Sequence, residues 1–306
     1  MENIEFSTPC HFKLDNNKNC PFLNDKNLCE IYINLGEKSL CNICSEHPRY
    51  YEWFKDVKEG GIGLCCEEAA RIILFQNEPF ETCNLKIPNE SAEDYDCEVY
   101  DYLLKCREKI ISCLDNTSVP LKARIRGILW YSNVLQQNLD SGLLDEEEIF
   151  DVKSESNFDI QEVFKYLLNL EANDEKWKSY LTHALGLLSD AELDSSLSEF
   201  ETQVPEVFQY LKNIAIYFIW RYFMKATFDY DVLSKVKLMA VSVAVIQYLF
   251  FCDWLEHGDL SLDACIAIVK KYSEEIEYCE ENLTSFADAS YELGVFSVEG
   301  LIGLFM

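Results

Sequence analysis

Apolar residues recur at steps of three and four through most of the chain beyond about position 93, the spacing that lines one face of an α-helix. Val99, Leu103, Cys106, Ile110 and Cys113 make the first long stripe, which predicts a helix from about Glu93 and assigns both cysteines to its buried face. Further helices are expected over Leu121–Asn138, Ile160–Leu170 and Ala172–Leu188. The run Val207–Phe228 carries Tyr210, Tyr217, Phe218, Trp220, Tyr222 and Phe223 and is apolar on nearly every side, so it belongs in the centre of a core. Asp231 then reads as the N-cap of a second such helix, Val232–Leu255, and the two form a central hairpin. Ser261 caps a last long helix, in which Leu262, Cys265, Val269, Tyr272, Ile276, Cys279 and Leu283 make a packing seam. The apolar end, Val298–Met306, is expected to tuck back onto the body.

The first 66 residues lack this pattern. They are short broken segments rich in Asn, Asp, Cys and Lys, suited to loops folded around a metal centre, and a first helix begins near Glu67. Thr82–Asp96, polar and containing Pro88, reads as the linker. The expected architecture is mostly α: a loop-rich cysteine module over residues 1–80 and a helical body over 90–306. Only 11 glycines and 7 prolines in 306 residues agree with long helices over a turn-rich sheet protein.

The most apolar stretch, Leu238–Cys252, falls short of the roughly 20 residues that cross a bilayer, so it is read as a core helix and no membrane association is expected. The opening residues carry neither a basic n-region nor an apolar h-region, which places the protein in the cytoplasm. A net charge of −28 repels phosphate backbones, so nucleic acid is not an expected partner. The same acidity keeps the protein soluble and favours the approach of basic groups, a substrate lysine among them. Nothing in the sequence decides the oligomeric state.

Fourteen cysteines change the picture, because thiols stay reduced in the cytoplasm and clustered ones there serve metals or redox chemistry. Seven lie within the first 66 residues. Cys20, Cys29, Cys41, Cys44 and Cys66 are separated by eight, eleven, two and twenty-one residues, loops long enough to bring several thiolates to one centre. Thiolates suit zinc or an iron–sulfur cluster, and the Cys41–Cys44 pair can grip one centre from a single turn. A cysteine-rich loop region with no metal is the bland alternative.

The string Cys20-Pro21-Phe22-Leu23 through Cys41-Asn42-Ile43-Cys44 and His47-Pro48-Arg49 to Arg71 resembles the cysteine module of flagellin lysine N-methylases. A second resemblance lies in Tyr217–Asp231 with Ser234-Lys235-Val236-Lys237-Leu238, and in Tyr272–Glu277 with Glu280–Leu283. The resemblance implies methyl transfer from S-adenosylmethionine to lysine ε-amines of flagellin and a four-iron four-sulfur cluster, with zinc as the alternative. It makes Cys20, Cys29, Cys41, Cys44 and Cys66 the candidate ligands, one more than four iron sites need. The family pattern has an earlier cysteine run upstream of Cys20, where this chain has Cys10 alone, leaving Cys10, Cys65 or Cys83 as substitutes. Arg49 is the candidate for the donor carboxylate and Tyr50, with Tyr51 and Trp53, for its sulfonium; a structural role for Arg49 is the alternative.

No strand followed by a glycine-rich turn points to a doubly wound methyltransferase, and the CxxxCxxC triplet of radical enzymes is missing. No catalytic residue can be named. Arg221 and Lys225, set in the aromatic helix, call for carboxylate partners, for which Asp229 and Asp231 are nearest in sequence. The rival functions are a non-catalytic metal-binding member of the same family and a thiol redox sensor built on Cys65 and Cys66.

Overall fold

The computed structural model describes residues 3–6, 11–15, 19–54, 57–80, 95–145, 147–154, 159–190 and 193–306. Cys10, Cys83 and most of the expected linker lie outside these. Two compact units are defined, Met1–Tyr50 and Tyr51–Met306.

The first unit holds little regular structure. Strands β1 (Ile4–Glu5) and β2 (His11–Phe12) pair antiparallel, and two short helices follow, α1 (Glu30–Leu35) and α2 (Asn42–Glu46). Its loops are closed by local bonds: Asn24 uses its side-chain oxygen to accept the Lys26 and Leu28 amides at 2.9 and 3.1 Å. Strands β3 (Arg49–Phe54) and β4 (Val57–Ile62) then form a two-stranded sheet that leads into the second unit.

That unit is helical, as expected. It comprises α3 (Glu67–Leu74), α4 (Cys97–Asp115), α5 (Leu121–Asp140), α6 (Ile160–Asn169), α7 (Glu175–Asp190), α8 (Leu193–Gln203) and α9 (Val207–Tyr222). After a 3₁₀ turn come α10 (Ala226–Asp229), α11 (Val232–His257), α12 (Leu262–Ile276), α13 (Glu280–Glu292) and α14 (Val298–Leu304). Asp231 caps α11 by accepting the Ser234 amide at 3.0 Å, and Gly258, at φ +71°, ends it in the left-handed conformation that glycine adopts at least cost. Helix α11 is the axis of the core, packed by α5, α9, α12 and α13. At 26 residues it is longer than its most apolar stretch, and among the described residues it alone is long and apolar enough to cross a membrane. Here it is buried by other helices. Cys106 lies in the core as expected, and α14 docks Leu301, Ile302 and Phe305 at 1% exposure or less.

Two expectations are corrected. The seam from Leu262 to Leu283 is not one helix: α12 stops at Ile276, and Cys279 opens α13. The break turns the Glu277 carboxylate into the core, where the Arg221 guanidinium and the hydroxyls described below receive it. Arg221 and Lys225 pair with neither Asp229 nor Asp231, since both carboxylates are taken by Lys235.

Candidate functional site

In the first unit the sequence predicts thiol ligands, and the fold sets Cys20, Cys29, Cys41 and Cys44 at turns and helix starts. The Leu23 amide closes a turn on the Cys20 carbonyl at 3.1 Å, Leu23 forms a β-bridge with Cys29, and Cys29 precedes α1. Cys41 precedes α2, and Cys44 sits inside it, so their sulfurs come within 3.3 Å. The Cys44 amide and thiol, bonding to Cys41, lower the Cys41 thiol below its usual range. Cys44 is pushed up to about 11, first by burial and then by the Cys41 bond and by charge on Cys41, Cys20 and Cys29. The four thiols therefore share one electrostatic neighbourhood. Among the described residues, however, no three His, Cys, Asp or Glu side chains converge in a metal-holding arrangement.

The remaining candidates are placed separately. Arg49 is exposed and donates from Nη1 to the Ser45 carbonyl at 2.9 Å, bracing the end of α2; Tyr50 beside it is half-buried. Cys66 belongs to the second unit, where it precedes α3.

In that unit the Cys65–Cys66 segment is held from several sides. Buried Asn213 of α9 donates to the Ile73, Leu74 and Gln76 carbonyls at 3.0, 3.0 and 2.8 Å, satisfying the C-terminus of α3. At the other end, the Leu64 amide donates to the Tyr217 hydroxyl at 3.4 Å. Tyr217 and Tyr222 donate to Glu277 Oε2 at 2.9 and 3.0 Å, and Arg221 Nε lies 3.4 Å from the same oxygen. Arg221 also donates to the Tyr217 hydroxyl at 2.5 Å and stands over the Tyr278 ring, 5.0 Å from its centroid. Glu277 Oε1 is buried without a partner.

Burial disfavours charge on Arg221, but Glu277 and the three surrounding tyrosines outweigh it and hold the guanidinium protonated. Burial raises the Cys65 thiol, and the neighbouring Tyr278 hydroxyl and Arg221 charge offset only part of that. With two tyrosine hydroxyls and the Arg221 guanidinium gathered on one oxygen, Glu277 acts as a structural anchor. Lys225 pairs instead with Glu52, at 2.8 Å. A second buried pair joins Arg107, 2% exposed, to both oxygens of Glu59 at 2.6 and 2.5 Å, with Trp220 against the guanidinium. Sequence periodicity could not find Glu277, which lies in an apparently continuous seam. The signal was the resemblance itself, since Tyr217–Asp231 and Tyr272–Glu277 are the two stretches that meet here.

A cavity of about 400 Å³ opens beside α5, α11 and the end of α13. Buried Lys237 lines it, with Asn133, Gln137, Asp140, Tyr291 and Glu292. Lys237 Nζ donates to the Ser290 carbonyl at 2.5 Å and lies 4.9 Å from the Tyr291 ring centroid.

These features belong to a helical class with its polar residues collected at helix ends and breaks. Residues 107–304 match the family model of the FliB lysine N-methylase C-terminal domain, which takes in Arg107, Arg221, Lys237 and Glu277. The chain belongs to that family. Among relatives, it is 36% identical over 61 residues to the flagellar biosynthetic protein FliU of Salmonella muenchen, covering 20% of this chain and 35% of that protein. The lysine-N-methylase of Salmonella typhimurium is also 36% identical over 61 residues, 20% of this chain and 15% of that enzyme. The matched segment thus spans about a third or less of these curated relatives. No solved structure matches the chain.

Proposed function

We propose that the protein is a cytoplasmic lysine N-methyltransferase that transfers the methyl group of S-adenosylmethionine to lysine ε-amines of flagellin. The observation that carries this reading is the family match over residues 107–304, the part of the chain that holds both the Arg221–Glu277 cluster and the Lys237 cavity. The names of the Salmonella relatives support a flagellar setting. In the transfer, a neutral ε-amine attacks the sulfonium methyl, a C–N bond forms as the C–S bond breaks, S-adenosylhomocysteine leaves, and the amine proton passes to solvent or to a base. A lysine is charged at neutral pH, so the site must either lower its pKa by desolvation or supply a base. The net charge of −28 draws a basic substrate segment in from a distance, an effect that added salt screens.

For the metal, the proposal takes the four thiols of the first unit, Cys20, Cys29, Cys41 and Cys44, as ligands of an iron–sulfur cluster or of zinc. Their donor chemistry fits such a centre, and Cys41 and Cys44 already stand 3.3 Å apart. When bound, such a centre supplies folding energy to the unit. Purified protein incubated with S-adenosylmethionine and flagellin should show intact-mass steps of about 14 daltons on flagellin; a metal-loaded preparation that adds none overturns the reading.

One observation favours a second reading, a thiol sensor. Cys41 and Cys44 are exposed, 3.3 Å apart, and shifted in opposite directions, as in a reactive dithiol pair. Rapid, reversible loss of both thiols under mild oxidant in metal-loaded protein would support it, and protection by the metal would retire it.

A further inference from the structure

Lys237 presents an unusual problem in the core. It is 3% exposed, and its charge is met by one carbonyl and one ring. Among the described residues no carboxylate lies within salt-bridge distance of it. Asp231 and Glu299 act on it only from further away, and Asp231 is already engaged by Ser234, Tyr291 and Lys235. A buried ammonium with two donors to spare is costly, and burial pulls its pKa below the usual lysine value. The side chain lines a cavity of about 400 Å³, large enough for a nucleoside with an amino-acid tail. Around it stand complementary groups: side-chain amides at Asn133 and Gln137, carboxylates at Asp140 and Glu292, and the Tyr291 ring. One cation, two anions, two amides and a ring match a ligand that carries a carboxylate, an ammonium, a sulfonium and a heteroaromatic base.

We propose that this cavity is the seat of the methyl donor, with Lys237 holding the carboxylate of its amino-acid end. The assignment rests on the methyltransferase reading and places the donor carboxylate on Lys237 instead of on Arg49, which is exposed and braces the end of α2. Asp140, Glu292 and the Tyr291 ring would hold the ammonium and sulfonium, and the amides of Asn133 and Gln137 would supply hydrogen bonds to the base. Lys237 is a binding residue in this scheme and takes no part in proton transfer.

The test compares two thioether nucleosides by calorimetry on the full chain in its purified, reduced form. S-adenosylhomocysteine has the amino-acid end; 5′-methylthioadenosine lacks it. The wild type should bind the first more tightly by roughly 10- to 100-fold, the effect of one charge-assisted contact. Lys237→Gln, which keeps a donor for the Ser290 carbonyl, should weaken S-adenosylhomocysteine by that factor and leave methylthioadenosine within about twofold. Lys237→Met should do the same, and bound methylthioadenosine verifies the fold of each variant. Undiminished binding of S-adenosylhomocysteine to a folded variant, or equal weakening of both ligands, overturns the site. The two readings separate cleanly. Lys237-dependent binding without flagellin methylation keeps the site and removes the substrate; undiminished methylation by Lys237→Gln removes the site and keeps the substrate.

Discussion

Between Met1 and Tyr50 none of the described residues is buried, and apolar side chains such as Leu35 and Ile43 stand 69% and 82% exposed. Between Tyr51 and Met306 the helices close over Phe164, Phe200, Phe223, Phe250 and Phe251, each fully buried. The hydrophobic effect therefore accounts for the second unit and not for the first. The described residues of the first unit bury no apolar core of their own, and on the proposed reading metal–thiolate bonds supply the folding energy that is missing there. Polar chemistry is distributed accordingly. Among the described residues of the body, buried charges stand in pairs or against carbonyls, as at Arg107, Arg221 and Lys237, whereas Cys41 and Cys44 of the first unit are exposed.

The largest effect should come from breaking the body's buried pair. Glu277→Ala strands Arg221 in the core and should cost about 3–5 kcal/mol in urea unfolding. Pairing Arg221→Met with Glu277→Leu should restore most of that loss, because well-packed apolar side chains replace such pairs at little cost. A cost below about 1 kcal/mol for the single variant would mean that the cluster does not hold the α12–α13 break.

Matched apolar truncations sharpen the contrast directly. Phe250→Ala should cost about 3–5 kcal/mol, as expected for an aromatic at 0% exposure. Ile43→Ala in the first unit should change global stability by less than about 0.5 kcal/mol. Similar losses at both positions would refute the division into core-folded and thiol-folded regions.

A smaller effect belongs to the cap of α11. Asp231→Ala should cost about 1 kcal/mol. Burial alone would raise the Asp231 carboxyl, but hydrogen bonds from Ser234 and Tyr291 and the charge of Lys235 outweigh it and hold its pKa below the ordinary 3.8. The folded state thus releases this proton more readily than the unfolded state. Its contribution is present in full above 3.8 and disappears as pH falls through the lower folded value, so wild type and variant should converge in stability only in strong acid. Thermal melts from neutral pH to about pH 2 measure this.

Much of the body was legible because its helices announce themselves locally. The Asp231 cap, the α5 start at Leu121 and the apolar stripe through Cys106 are each set by neighbours a few residues away. Helix α8 was missed because Phe200 is its one buried residue, which leaves no stripe to read. The break at Glu277 was missed for the opposite reason: the apolar register continues across it, from Ile276 to Cys279 and Leu283. Arg221 and Glu277 lie 56 residues apart, and Lys225 meets Glu52 across a still longer loop, so local charge spacing pointed to the wrong acids. For the cysteines, spacing indicated which thiols could gather, and four of the five named share the first unit. The cavity around Lys237 is lined from α5, α11, α13 and the start of α14, stretches whose meeting no local pattern announces.

The contrast between the two regions is tested most directly by amide hydrogen exchange on the metal-loaded protein, before and after a chelator strong enough to strip it. The account predicts that residues 19–50 lose their protection on metal removal while α9 and α11 keep theirs, and that Cys44→Ser mimics the chelator where Cys265→Ala does not. Protection over residues 19–50 that survives complete metal removal would contradict it, since that unit would then be folding on resources its exposed side chains do not show.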